Sequence, residues 1–554
     1  MSFFVRALAA AASVFLLSLP LAAQSPSPPQ SSPEPSQAVV TLPDLKSRLD
    51  RFSSAEGRVV GDVPIAAYEF LPKMYAALGY RLAWTNEASV AALKDAIKRS
   101  WEDGLTASDF HDQIVAAHAP STATDTRAIE TDIILSDALV RLLYQLFFGK
   151  VSPNGLDPHW NFSQPMLSDD PVKIISSAIA AGEIAALVER ARVDHPAYKA
   201  LKATLQSYTQ YDVAGGWPII PAGAPIKPGG RDPRILALRQ RLAVTGELQD
   251  DASAASDVLD ENLAAALASF QKFHGLDDDG ALGPKTLAEL NVTPAQRIDQ
   301  VRVNLERARW TLRALGDDMV IVNIAGFYLR VVLDKKPVWA TRVIVGRPYT
   351  KTPIFKGDMK HVVLNPDWTV PRSIVKGELF AKASTDPTYL AANNYVLTSS
   401  SGRVDPNTVN WSQWTASTFP YGIVQSPGPA NALGLVKFLF PNKYSVYLHD
   451  TPGRGLFGKS GRSFSHGCIR VEDPMKLAEI VLGNRVGWDR AKIDATVKTG
   501  KLTQVNLPKP LPVHLLYWTV DPQPDGSARF YQDVYGRDGP LLKAINADFK
   551  PTVR

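Results

Sequence analysis

The chain has 554 residues, 45% hydrophobic and 21% charged, with a net charge of +5. That is material for several folded cores, and the mild positive balance comes without the dense Lys/Arg block of a nucleic-acid footprint, which excludes nucleic acid as a partner. Cys468 is the only cysteine; a disulfide framework is excluded, and with no C-x-x-C or H-x-x-x-H spacing anywhere no metal site is expected.

Met1 to Ala23 carries Arg6, an apolar run to Leu19 and then Pro20-Leu21-Ala22-Ala23, the pattern of a cleaved signal peptide. No cysteine follows the run, so no lipid anchor is expected, and no later stretch approaches the length of a membrane span. Residues 24–41 are rich in Ser, Pro and Gln and read as an extended linker. From 42 to 215 the pattern is helical, with amphipathic runs such as Ser89 to Ile97 and Thr131 to Phe148, and it holds no catalytic constellation. A Pro/Gly boundary at Gly215 to Gly230 closes it.

Residues 231–293 form a compact unit. Leu238 and Leu242 share one helix face, and Leu263, Leu267, Phe270 and Phe273 share another. Phe270-Gln271, Asp279-Gly280, Gly283-Pro284-Lys285-Thr286 and Leu290-Asn291 resemble a small three-helix peptidoglycan-binding domain. Lys285 lacks the preceding glycine of a phosphate loop, and Asp277-Asp278-Asp279 lacks the alternating ligands of a calcium loop. Thr293-Pro294 caps a connecting helix over 294–318, whose Arg-rich face is either solvated or packed on the preceding helices.

From Met319 the period becomes two. Met319 to Ile324, Tyr328 to Leu333 and Val338 to Gly346 read as strands, opening a mainly β domain over 319–540. An insertion with its own helix and polar turns occupies about 369–421; Trp368, Tyr389, Trp411, Trp414 and Tyr421 are candidates for packing or for a cleft wall. Tyr444 to Leu448 reads as a strand that delivers His449, and Met475 to Leu482 as a helix. Pro512 to Tyr535, turning at Asp525-Gly526, reads as a terminal hairpin. The fold class is therefore multidomain α+β.

A lone cysteine in an exported chain is buried, paired with another chain or used chemically. Here its neighbours favour use: His466 and Gly467 precede Cys468, and His449 stands nineteen residues upstream across a Gly-rich loop. A thiol needs a nearby base to become a nucleophile, and either histidine could serve.

His449, the spacer and Ser465-His466-Gly467-Cys468 resemble the signature of the YkuD-type L,D-transpeptidases, and Ile469-Arg470 in place of the usual hydrophobic-Asn resembles their large periplasmic, YcbB-like subclass. The resemblance implies a periplasmic, wall-associated enzyme in which the 42–215 region is a scaffold and the insertion caps the cleft. It implies Cys468 as nucleophile and His449 as general acid and base, acting without a cofactor on peptidoglycan stem peptides. A tetrapeptide donor would lose D-alanine to a thioester, and a diamino acid acceptor would resolve it into a cross-link between third-position residues. Backbone N–H groups of His466, Gly467 and Cys468 are the expected oxyanion donors, with Gly467 permitting the turn. A backbone carbonyl would orient His449, since the adjacent Asp450 side chain points away. Substrate carboxylates point to Arg470 ahead of Arg454, Lys459 and Arg462; Ser465, Tyr447 and Trp368 complete the expected substrate contacts. Hydrolysis at the same thiol, and a non-catalytic scaffold bound to the sacculus, are the competing readings.

Overall fold

The computed structural model describes residues 43–120, 123–157, 160–162, 170–249, 254–523 and 527–549. The expected signal peptide, the linker and the Asp525-Gly526 turn lie outside the described residues.

Helices run from Pro43 to Val213, the longest being Thr126–Phe148, capped by the Asp125 carboxylate on the Ala128 N–H. Its Ile133, Leu135, Leu139, Leu142 and Leu146 are buried in one core with Val90, Leu93 and Ile97 of Glu87–Lys98. The helix Pro294–Thr311 starts in a Thr293/Gln296 capping box and packs between the preceding helices and the β domain. Its arginines pack on the preceding helices: Arg309 is buried against Glu306 and donates to the Asp103 carbonyl, while Glu306 accepts the Val151 N–H at 2.6 Å. Its other side binds the β domain, where Asn304 exchanges hydrogen bonds with Thr519 at 2.8 and 3.0 Å and Arg307 pairs with Asp538 at 2.7 Å.

Three helices, Arg234–Val244, Glu261–Phe273 and Pro284–Leu290, close around Leu238, Leu242, Leu267 and Phe270. This unit docks through His274, whose ring stacks on Phe530, and through Glu289, which pairs with Arg297 of the central helix.

The β domain is a nine-stranded sheet in the order Ser463–Ser465, Lys336–Gly346, Ile469–Val471, Leu448–His449, Val436–Leu439, Phe355–Leu364, Thr503–Leu516, Met319–Asn323, Tyr328–Leu333. Tyr328–Leu333 also pairs with Lys336–Gly346, so the sheet curls back on itself around a buried Val/Leu/Phe core. The insertion builds its own four-stranded sheet from Trp368–Thr369, Gly422–Gln425, Tyr395–Ser399 and Gly402–Val404, with a separate core that includes Trp411 and Phe419. It thus runs a few residues beyond the expected 421. Tyr389, Trp414 and Tyr421 pack on that core.

Two expected elements take another form. Only Leu448–His449 is strand; before it, Ser445 adopts φ +56°. The cause is local: the Asn442 side chain accepts from the N–H groups of Tyr444 and Val446 and donates to the Val446 carbonyl, an Asx-type turn that competes with extension. Pro512 to Leu516 belongs to the long central strand Thr503–Leu516 rather than to a hairpin; the hairpin is Val520–Pro522 with Ala528–Phe530. Helices Arg490–Lys498 and Asp538–Asn546 follow patterns too short to separate from loops in the sequence. Among the described residues no helix is long and apolar enough to cross a membrane.

Candidate active site

Pairing register places the chemistry on one face of the sheet. Lys437 lies opposite His449, and His449 opposite Arg470. The alternate residues Phe438, Leu448 and Ile469 are buried in the core, so Lys437, His449 and Arg470, with Cys468 two residues before Arg470, project from the opposite face.

The cysteine loop is held from within and from behind. Gly467 sits at φ +118°, a left-handed conformation that favours glycine. Ser465, only 2% exposed, accepts the Gly467 N–H at 3.1 Å and donates its hydroxyl to the Cys468 carbonyl at 2.5 Å. Behind it, Thr352 donates to the Gly467 carbonyl at 2.8 Å and Thr350 to the Ser465 carbonyl at 3.1 Å. The Tyr535 hydroxyl donates to the Gly346 carbonyl at 2.6 Å and accepts the Thr352 N–H.

Both hydrogen bonds of the Ser465 hydroxyl are internal, so its side chain braces the loop. The Gly467 N–H is already taken by Ser465, which removes it from the expected oxyanion donors and leaves the N–H groups of His466 and Cys468. His466 does not fold toward the thiol: its Nε2 lies 2.9 Å from Glu378 on the insertion, tying the cap to the loop.

His449 is 4% exposed, and its Nδ1 donates to the Asp450 carbonyl at 2.5 Å. That bond fixes the proton on Nδ1 and leaves Nε2 as the acceptor. The Asp450 carboxylate is turned away, accepting from Leu435 N at 2.8 Å, Thr451 N at 2.6 Å and Arg454 at 2.6 Å. Gly434 at φ +58° makes room, since a Cβ there would lie 2.3 Å from Asp450 Cγ. Burial, with the positive charges of Arg470 and Lys437, pushes His449 down to about 3, so the ring is neutral.

Burial likewise pushes the Cys468 thiol up. Its Sγ is 3.6 Å from the Ser445 carbonyl, the acceptor that the left-handed turn presents. Trp368 and Cys468 both sit beside the Tyr447 hydroxyl, which burial holds above the usual phenol range. The Tyr447 ring lies 5.6 Å from that of His449.

Of the four basic candidates, Lys459 is exposed, Arg454 is spent on Asp450 and the Glu472 carbonyl, and Arg462 on the carbonyls of Lys459 and Phe327. Arg470 is different. Its guanidinium makes no hydrogen bond or ion pair among the described residues, and its Nε is buried without a partner. Lys437 was missed in the sequence, although a single lysine inside the apolar run Val436 to Phe440 is the signal that marks it. Glu378, Thr352 and Tyr535 carry no such signal, because they reach the site only through the fold.

Three segments match known families: residues 317–505 the L,D-transpeptidase catalytic domain, residues 231–290 the "Putative peptidoglycan binding domain" and residues 69–205 the "Scaffold domain". A relative from Haemophilus influenzae described as "Putative L,D-transpeptidase" is 33% identical over 267 residues, 48% of this chain and 52% of that protein, so the chain spans about half of that relative's length. A solved structure of an L,D-transpeptidase (residues 123–326) from Xylanimonas cellulosilytica matches at 17% identity and a TM-score of 0.17, covering 53% of this chain and 99% of that one, a score too low to bear on the fold.

Proposed function

We propose that this chain, which carries an L,D-transpeptidase catalytic domain beside a peptidoglycan-binding domain, cross-links stem peptides between third-position diamino acid residues through a thioester on Cys468. The observation that carries the reading is the sheet register. It sets the lone thiol, a neutral imidazole with its Nε2 lone pair available, and an unpaired guanidinium on one face under a cap.

In the first half-reaction His449 Nε2 takes the thiol proton as sulfur adds to the amide carbonyl of the donor's third residue. The Cys468 N–H donates to the developing oxyanion. The C–N bond then breaks, His449 returns the proton to the leaving amine, and D-alanine departs. In the second half His449 deprotonates the acceptor amine, which displaces sulfur and forms the new amide. Ping-pong kinetics follow. Arg470 holds a substrate carboxylate, with Tyr447 and Trp368 lining the approach; the 231–293 unit holds the sacculus. The signal-like segment over 1–23 supports work in the periplasm, which fractionation of cells expressing the full chain would check against a cytoplasmic marker.

Incubation with a disaccharide tetrapeptide, followed by product analysis, tests the function. Cross-linked dimers that vanish in Cys468→Ala support transfer. Tripeptide alone would make the protein a hydrolase, and no turnover with sacculus binding intact would make it a wall-binding scaffold.

A further inference from the structure

Lys437 and Arg470 stand on either side of His449 in one lateral row of the sheet. Side chains so placed on neighbouring strands have Cβ atoms about 5 Å apart, whereas Cys468 lies a row away, roughly 6.5 Å along the strand from Arg470. By register the two cations flank the imidazole more closely than the sulfur, and both act on Cys468 as well.

Neither has an ion-pair partner among the described residues. Lys437 makes no ion pair or hydrogen bond among the described residues; its Nζ lies 4.1 Å from the centre of the Tyr447 ring. Arg470 is unpaired, its Nε orphaned. Asp367 faces Lys437 without pairing to it, and Arg347 adds positive charge beside Arg470. The other acids are committed, Asp450 to Arg454 and Glu378 to His466. Burial depresses Lys437 itself, and the charge of Asp367 offsets only part of that, as expected for an ammonium held in a half-closed cleft without a salt-bridge partner.

We propose that Lys437 and Arg470 form a two-cation clamp for a carboxylate of the incoming stem peptide, and that filling the clamp is what turns His449 into a competent base. With the clamp empty, a proton on His449 would sit between two like charges in a buried site. A bound carboxylate cancels that repulsion and raises the imidazole's proton affinity more than it raises the thiol's. The substrate's charge is then part of the catalytic apparatus, and the free enzyme keeps its nucleophile as a quiet thiol. The inference rests on the Cys468/His449 pairing proposed above.

Because Cys468 is the only cysteine, its alkylation in the full chain reads out the pair without any cell-wall substrate. Sulfur displaces iodide from iodoacetamide, the C–S bond forming as C–I breaks, and the thiol proton passes to His449. Intact mass gives the rate at neutral pH for the unmodified sequence, Lys437→Met, Lys437→Arg and His449→Ala, in acetate or in chloride of matched ionic strength. Acetate is expected to accelerate alkylation by about threefold or more in the unmodified sequence and in Lys437→Arg, and to have no such effect in Lys437→Met. Iodoacetate should gain on iodoacetamide in the unmodified sequence and lose that gain in Lys437→Met. If acetate slows the reaction or leaves it unchanged while His449→Ala still lowers the rate, the clamp is wrong and the thiol–imidazole pair stands. If His449→Ala leaves the rate unchanged, the pair itself fails and the clamp with it.

Discussion

Ser465→Ala separates a loop brace from a substrate contact. The substitution removes the acceptor of the Gly467 N–H and the donor to the Cys468 carbonyl, in a loop where Ser465 is 2% exposed. Each lost hydrogen bond costs about 1 kcal/mol net, and leaving a buried partner unsatisfied raises this toward about 2 kcal/mol, so the loss is about 2–4 kcal/mol. For a β domain of roughly 200 residues each kcal/mol lowers the melting midpoint by about 2–4 °C, which gives a fall of about 4–16 °C. Calorimetry of the full chain would place that fall in the transition of the β domain, and alkylation of Cys468 would show whether the thiol keeps its environment. Calorimetric transitions unchanged within about 1 °C, with only the KM for a stem peptide raised, would refute the reasoning and return Ser465 to the substrate.

Arg470→Gln should lower kcat/KM for a carboxylate-bearing donor by about 10- to 100-fold, the worth of a charged hydrogen bond of about 1.5–3 kcal/mol; a change under twofold in steady-state assays would remove Arg470 from recognition. Gly434→Ala should destabilise the β domain and impair acylation, because the backbone is left-handed and the new Cβ would strike the Asp450 carboxylate 2.3 Å away; calorimetry of a variant as stable as the parent would contradict that packing. Acid should destabilise the protein. His449 at about 3, and His274 and His514 both at about 4, are depressed by burial below the ordinary 6.5, so the stability of keeping them neutral is present above pH 6.5 and is lost as pH falls toward those values. Buried Asp132, raised to about 6, acts in the opposite sense between its ordinary 3.8 and 6, as does buried Glu306, also raised; His118 and His195, lowered by burial too, join the other imidazoles, five against two carboxyls among the described residues. Melting midpoints that rise between neutral pH and pH 5 would refute the balance.

The elements that carry the chemistry were legible because their signals are local. A lone cysteine after His-Gly, a histidine at a fixed upstream distance and a strand-like Leu448-His449 all stand in one stretch of sequence. The turn at Ser445 was not legible as such, since Tyr444 to Leu448 alternates as a strand does and the Asn442 side chain overrides that propensity. Charge was the hardest property to assign. Arg454, Arg462 and Arg470 look alike in sequence, and only the fold distinguishes the two that are consumed by carbonyls and carboxylates from the one left free. Lys437 joins the site across a strand pairing with His449. The aromatic residues of the insertion divide in the same way: Trp368 reaches Tyr447, while Trp411 and Phe419 stack in the cap's own core.

The most direct test of the central claim is the location of the acyl group. Rapid quenching of the full chain with a tetrapeptide donor, at acid pH to preserve a thioester, followed by peptide mapping, should find the donor minus D-alanine on the peptide that contains Cys468. The adduct should be labile to hydroxylamine and strongly reduced in His449→Ala. An acyl group on any other residue, or cross-linked product formed by Cys468→Ala, would contradict the account.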